Sequence, residues 1–471
     1  MRGFGEANKS KKKNIPKLLP KYDDSQILTQ AINYHYQGNI FQASKHYKFL
    51  IDKGSRNGTI FTNYGLILKN SGKLKDAELF LRKAIELNPK DSIVYSNLAG
   101  IFKDQRKLKD AELFLRKAIK LNPNFANAYY NLGSILKDLG KLQDSEKSYR
   151  KAIEINPNYA IAHNNLGSIL RDLGKLKELV LHSKSTLESR SINLGYKLLA
   201  SLQITIANLL QKKFSETFVS ISKTNDLISQ GGIKTIKDRR NKKYALGFSR
   251  FITSLYPLLE KDNKHPDARE ILHLGESHCL SFAHQTISLS SQVKTIQPVL
   301  ITGGKAWHFA NKKNNRWKDA LTQQIKNHKY SDEVFISFGE IDCRKDEGIL
   351  TYSIKKNKDI SEVCKRTIKG YLDYMEEILT PNYSKKYYFG VPAPTRGKEL
   401  LDELDIERIK TIKIYNSILK KEVLSRGSYF VDVYKLTSNN EGVNNNIHMC
   451  DTTHLSPKCL SILFENYLYK S

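Results

Sequence analysis

KLKDAELFLRKAI, residues 73–85, returns letter for letter at residues 107–119, an offset of 34. A copy at that distance marks a repeat array, in which each unit buries its apolar face only against its neighbours. The period extends to both sides. One register holds Ala31, Gly65, Ala99, Gly133 and Gly167; a second holds Ala43, Ala77, Ala111 and Ser145; a third holds Ala84, Ala118 and Ala152. Small residues at fixed places let paired helices approach closely. Pro89, Pro123 and Pro157 punctuate the units, where proline ends one helix and starts the next turn.

This pattern resembles the tetratricopeptide repeat family, whose 34-residue helix pairs stack into a curved α-solenoid. The resemblance covers residues 22–191, about five units. The first, SQILTQAINYHYQGNIFQASKHYKFLIDKG, keeps the alanines but lacks the proline. The last, NYAIAHNNLGSILRDLGKLKELVLHSKSTL, has Leu179 and Thr186 where alanines belong and reads as a capping unit.

Two further rows share the period: Asn63, Asn97, Asn131 and Asn165, and beside them Lys69, Lys103, Lys137 and Arg171. The resemblance implies that first helices line the concave face, so these rows form an amide and cation ladder for a protein or peptide partner. The Asn row resembles the asparagine ladder of the O-linked N-acetylglucosamine transferase, which holds extended peptide backbone. An Asn amide can both donate and accept, which suits sequence-tolerant binding. The alternative is that duplication simply copied surface residues.

The whole chain has 471 residues, long enough for two or three domains. Its 77 Lys and Arg against 48 Asp and Glu leave a formal charge of +29, which favours anionic partners, although free use of Lys throughout supplies part of it. Residues 1–21, MRGFGEANKSKKKNIPKLLPK, read as a basic disordered tail without the apolar core of a signal peptide. The longest uncharged apolar stretch, LLASLQITIANLL at 198–210, is too short and too interrupted to span a bilayer. No transmembrane segment is therefore expected, and the cytoplasm is the default location. Five cysteines, all at or beyond Cys279 and none in a CxxC pair, argue against a disulfide framework. Residues 192–266 continue in helical patterns as a connector. They include the basic amphipathic segment IKTIKDRRNKKYALGFSR, read as a solvated helix face because no aromatic-interleaved nucleic-acid module accompanies it.

From residue 267 the period changes. EILHLG, PVLITGG, EVFISFG, KYYFGVP and SYFVDVY alternate with longer helical patterns, the mark of βαβ units and a parallel sheet. Ligand sites in such sheets lie beyond the carboxyl ends of the strands. There stand Gly275-Glu276-Ser277-His278, Gly303-Gly304-Lys305, Gly339-Glu340-Ile341-Asp342-Cys343-Arg344 and, before the closing helix, Asp451-Thr452-Thr453-His454.

These clusters, in this order, resemble the SGNH/GDSL hydrolase family over residues 267–471. The resemblance implies an α/β/α flavodoxin-like parallel sheet, with Ser277 as nucleophile, His454 as general base and Asp451 orienting the imidazole. An oxyanion hole is expected from the backbone N–H groups of His278 and Gly304, with Gly303 as the alternative to Gly304. Two positions depart from the family. Glu276 stands in place of Asp, and Ile341 in place of an Asn donor, a loss that Arg344 or His308 would have to make good. Asp342 keeps its family place and is expected to hold the rim loops by hydrogen bonds.

The expected function is a repeat-docked serine ester hydrolase or acyl transferase, acting on a small acyl ester or an O-acylated carbohydrate. The alternative is a protein–protein interaction scaffold whose hydrolase-like domain has lost its chemistry. His278, Cys279, Cys343, His448, Cys450 and His454 gather near the same rim, but their spacings match no ligand pattern, so no metal or cofactor is expected.

Overall fold

Proline sets the period of the array. Asn88, Asn122 and Asn156, each preceding a proline, have φ of −140°, −139° and −131°. The pyrrolidine ring disfavours a helical conformation in the residue before it, so each second helix stops there. The computed structural model describes residues 23–261, 265, 267–289, 291–328, 332–380, 382–396 and 401–470. The basic tail expected at residues 1–21 lies outside them. The chain divides into two compact units at Pro123 and Asn124.

The first unit holds three helix pairs: α1 (Asp24–Tyr36) with α2 (Ile40–Asp52), α3 (Gly58–Asn70) with α4 (Leu74–Leu87), and α5 (Ser92–Asp104) with α6 (Leu108–Leu121). Ala77, Leu81 and Ala84 in α4, and Ala111, Leu115 and Ala118 in α6, are buried. Their spacing places them on one stripe of the helix, which faces the partner helix. Asp91 caps α5 by accepting the Ile93 and Val94 N–H groups.

The second unit opens with two more pairs, α7 (Ala126–Asp138) with α8 (Leu142–Ile155) and α9 (Ala160–Asp172) with α10 (Leu176–Glu188). Gly133 of α7 lies against Tyr149 of α8, where an added Cβ would sit 2.9 Å from the ring. The connector continues as α11 (Leu194–Leu210), α12 (Phe214–Ser229), the short α13 (Gly232–Thr235) and α14 (Arg239–Leu255). LLASLQITIANLL falls in α11, which is buried along nearly its whole length. Its polar residues find partners there: Gln203 donates to the Asn164 carbonyl (3.2 Å), and Ser201 meets Thr224 (2.9 Å). No helix among the described residues is long and apolar enough to cross a membrane.

The remaining elements are β1 (Arg269–Gly275), β2 (Thr286–Leu289), β3 (Gln292–Leu300), α15 (Ala306–Ala310), α16 (Arg316–Lys326), β4 (Glu333–Ser337), α17 (Ile349–Lys356), α18 (Ile360–Leu379), β5 (Lys385–Phe389), α19 (Glu403–Leu424), β6 (Tyr429–Val431), α20 (Val433–Thr437), α21 (Leu460–Asn466) and β7 (Leu468–Tyr469). They form one seven-stranded sheet in the order β2-β3-β1-β4-β5-β6-β7. The five apolar runs of the sequence are β3, β1, β4, β5 and β6, mutually parallel; the sheet as a whole is mixed, because β2 and β7 add antiparallel edges. β2 arises from a hairpin in which Ser291 takes φ 62°. Alternation along β1 sends Leu272 and Leu274 to the face covered by α16, α18 and α19, and Ile271 to the face covered by α21.

α16 also packs on the last two repeats. Gln324 donates to the Arg171 carbonyl (2.7 Å), Asn327 to the Leu173 carbonyl (3.0 Å), and Asp319 accepts the Leu142 N–H (3.1 Å). At the turn between α7 and α8, Gly140 takes φ 74°, and a Cβ there would lie 2.8 Å from the Asn315 carbonyl. Gly140→Ala is expected to lower the urea midpoint of this unit more than Gly427→Ala, which has φ 68° and nothing within 4 Å. The left-handed φ alone costs about 1–2 kcal/mol at either site. Equal midpoints would show that the approach to Asn315 adds nothing.

Candidate active site

β1 ends at Gly275, and the chain turns through Glu276 into a single 3₁₀ turn, Ser277–Phe282, at the carboxyl edge of the sheet. Asp451 and His454 come from the other end of the unit. Asp451 accepts the backbone N–H groups of Thr453 and His454, both at 2.7 Å, so the loop curls around its own carboxylate. Ser456 then caps the turn Pro457–Cys459 that leads into α21.

This curl aims the His454 ring. Its Nδ1 faces the Asp451 carboxylate at 2.8 Å and its Nε2 faces the Ser277 hydroxyl at 2.8 Å. With the proton on Nδ1 held by the carboxylate, Nε2 is the acceptor, a tautomer assigned from its partners. Phe251 of α14 stacks on the imidazole with ring centroids 3.6 Å apart and planes at 17°. Burial pushes the Asp451 carboxyl up, but its hydrogen bonds from the His454 ring and from the Thr453 and His454 backbone outweigh that and leave it below the usual range. Ser277, His454 and Asp451 thus form one continuous chain.

The N–H groups around the hydroxyl are arranged differently from expectation. Gly304 donates to the Ile301 carbonyl (3.0 Å), closing a turn after β3, so its N–H does not face Ser277. The adjacent Gly303 N–H points to Glu276 Oε1 (3.3 Å). Glu276 Oε2 accepts both the Ser277 N–H and the Ser277 hydroxyl. A single hydroxyl proton cannot serve Glu276 and His454 together, and the carboxylate sits against two of the donors that an oxyanion would need. His278 packs beside His454 with ring centroids 4.9 Å apart, and its Nε2 lies 3.2 Å from the Thr453 carbonyl.

The residues named as replacement donors are engaged elsewhere. Arg344 donates to Glu340 through Nε (2.9 Å) and Nη2 (2.6 Å). His308 stacks on Trp317 at 3.4 Å and accepts the Lys305 N–H at 3.1 Å. Ile341 is buried. Asp342 accepts the N–H groups of Ala306 (2.8 Å) and Trp307 (3.1 Å), tying the loop after β4 to the start of α15; burial raises its carboxyl to about 6.

Beside His278 lies a small pocket, lined by His273, His278, Phe282, Phe389, Val433 and Leu455 among others. His273 is fully buried, stacks on Phe282 and Phe389, and neither ring nitrogen has a partner. Sequence reasoning passed over His273 as one letter of an apolar run. It also passed over Phe251, since α14 had been read for its basic face rather than for its buried Phe248, Phe251 and Ile252.

The repeat rows meet different fates. Asn63 donates to the Tyr47 hydroxyl (3.0 Å), and Asn165 approaches the hydroxyls of Tyr130 and Tyr149, each at 3.5 Å. Lys69 pairs with Asp104 at 3.6 Å. Asn97, Asn131 and Lys103 are half-buried on the same face of their helices. Arg171 departs from the groove expectation: it is 5% exposed, donates to the Tyr244 hydroxyl (2.9 Å) and pairs with Asp172 (3.6 Å), because α14 covers it.

Residues 59–91, 101–140, 126–159 and 148–178 match tetratricopeptide repeat families. The N-terminal array is therefore made of tetratricopeptide repeats. Among solved structures, the chain is similar to YrrB, described as a TPR protein with an unusual peptide-binding site, at 18% identity over 44% of this chain and all of that one, with a TM-score of 0.35. It is similar to MamA from Desulfovibrio magneticus at 18% identity over 34% and 92%, with a TM-score of 0.32. The first TPR of Spaghetti (RPAP3), bound to an HSP90 peptide, matches at 26% identity over 26% and 95%, with a TM-score of 0.25. No curated protein sequence matches the chain.

Burial holds His278 down to about 4 and His273 down to about 3. Folded values below the ordinary 6.5 mean that the stability is fully present above 6.5 and is lost as pH falls toward 4. Thermal unfolding between pH 7 and 4 should follow that course. His273→Phe, which keeps the stack and removes two unpartnered nitrogens, is expected to stabilise by about 1–3 kcal/mol and to flatten the acid loss. A destabilised variant with an unchanged slope would give the His273 nitrogens a partner.

Proposed function

We propose that residues 267–471 form a serine-dependent ester hydrolase or acyl transferase of SGNH/GDSL type, joined by the connector at 192–266 to a repeat array at 22–191 that docks a protein partner. The observation that carries the chemistry is the Asp451–His454–Ser277 hydrogen-bond chain, with 2.8 Å at both His454 nitrogens, standing at the carboxyl end of β1. The strand order supports it as well. Counted in chain order, the five parallel strands run 2-1-3-4-5, the doubly wound flavodoxin-like order, and Ser277 follows the first of them, where that order reverses.

In this reading the Ser277 oxygen attacks an acyl carbonyl while its proton passes to His454 Nε2. Asp451 stabilises the imidazolium, which then gives the proton to the departing alkoxide. Water or an acceptor alcohol releases the acyl group by the reverse sequence. The carbonyl oxygen needs the Ser277 and Gly303 N–H groups, so Glu276 must first leave them. Family resemblance points to an O-acylated carbohydrate as the substrate. The repeats take a protein or peptide partner, with Asn63, Asn97, Lys69 and Lys103 of the first unit as groove residues; no nucleic acid, metal or cofactor is part of the proposal.

The second reading is an interaction scaffold whose α/β domain has lost catalysis. It has the family matches on its side, since all of them fall on the repeats, and it has Ile341, which offers no donor.

A fluorophosphonate serine probe is expected to label the wild type and to miss both Ser277→Ala and His454→Ala; a folded wild type that stays unlabelled would favour the scaffold. Glu276→Asp, one carbon shorter, should withdraw the carboxylate from Gly303 and raise turnover of 4-nitrophenyl acetate by about an order of magnitude, below the full worth of an oxyanion donor. A slower Glu276→Asp enzyme would make Glu276 a helper rather than an obstruction.

A further inference from the structure

Two members of the repeat cation row, Lys137 and Arg171, lie in the second unit, where α16 packs on the last two repeats. Arg316 begins α16, and its neighbour Asn315 touches Gly140, three residues beyond Lys137. A Cβ on Gly303 would be 3.9 Å from Arg316 Nη2, so this guanidinium stands beside the glycine whose N–H faces Glu276. Arg171 lies nearby, its carbonyl held by Gln324 of the same helix.

Three cations have been drawn together with little to neutralise them. Among the described residues, Lys137 and Arg316 have no acceptor within hydrogen-bond or ion-pair reach, although Arg316 lies over the Trp317 ring at 4.5 Å. Arg171 has Asp172 and the Tyr244 hydroxyl, but its buried Nε has no partner. Burial, with Arg316 close by, pulls the Lys137 ammonium down to about 7, and burial lowers Arg316 as well. The carboxylates that act on both are Asp172 and the exposed Asp138, which leaves the group net positive. Unpaired cations taken partly out of water are costly unless an anion arrives to join them.

The cluster and the apolar pocket lie on opposite sides of the sheet. Phe282, Phe389, Val433 and Leu455 of the pocket belong to the core on the α21 face, whereas α16 contributes Leu321 and Ile325 to the core on the other. An ester held at Ser277 has two halves to seat, and the two surroundings differ in kind.

We infer that Lys137, Arg171 and Arg316 receive an anionic group on the alcohol half of the substrate. The substrate class is thus an acyl ester of an acidic alcohol, an O-acylated sugar acid being the carbohydrate that fits. This rests on the ester-hydrolase reading of Ser277.

The test compares 4-acetoxybenzoate, which carries a carboxylate on its leaving group, with its neutral methyl ester, using the full chain. The wild type is expected to favour the charged ester in kcat/KM by at least about tenfold, as hydrogen bonds to a charged group commonly supply. That ratio should fall toward one in Arg316→Gln and Lys137→Gln, through KM. A wild-type ratio of one or below, or a ratio unchanged in both folded variants, overturns the inference. Titration calorimetry with inorganic phosphate reads the cluster without catalysis. Binding to wild type and to Ser277→Ala, weakened in Arg316→Gln and Lys137→Gln, supports the cluster even if neither ester is cleaved and the serine probe fails. No phosphate binding sinks it, and phosphate binding without preference for the charged ester removes the substrate assignment.

Discussion

The Asp451 carboxylate accepts three N–H groups from within four residues: those of the Thr453 and His454 backbone and that of the His454 ring. A flexible loop thereby becomes a fixed bracket. It is this bracket that presents Nε2 to Ser277, since apart from Ser277 itself no other hydrogen bond to that ring is seen among the described residues. The stacking of Phe251 closes the remaining freedom by fixing the plane of the ring.

Phe251 belongs to α14, and so does Tyr244, which receives the Arg171 hydrogen bond from the last repeat. One helix therefore touches both the repeat cation and the histidine of the site. The basic residues along α14 made it look like a solvated surface. Its opposite face, with Ala245, Phe248 and Ile252 buried, joins the core that also contains Cys279 and Leu280, just after Ser277. Repeats, connector and sheet are three segments of sequence but share continuous apolar packing in this unit.

The repeats were legible because a 34-residue period repeats its own errors and successes, and Pro89, Pro123 and Pro157 mark the joints. The five parallel strands were legible because strands buried on both faces read as unbroken apolar runs. The edges were not: β2 and β7 have four and two residues, too short to carry a pattern. At the site, strand order shows which residues follow which strand, but not which of two adjacent glycine N–H groups turns inward. Gly304 is withdrawn by the Ile301 carbonyl, a matter of one turn's geometry. Likewise the sequence does not show that the Glu276 carboxylate bridges Ser277 and Gly303, a matter of side-chain reach.

The dividing line between the two compact units falls inside the repeat array, at Pro123 and Asn124, and the helices α4 and α6 before it begin with twelve identical residues. The second helices of those two repeats are thus near copies, while their first helices α3 and α5 differ at most positions. The last two repeats are not interchangeable, since Gly140, Arg171 and Leu173 make specific contacts with α16. Growth or shrinkage of the array by whole units is thereby confined to the part before Asn124. Over evolutionary time the reach of the array can lengthen or shorten while the last two repeats stay tied to the sheet that carries Ser277.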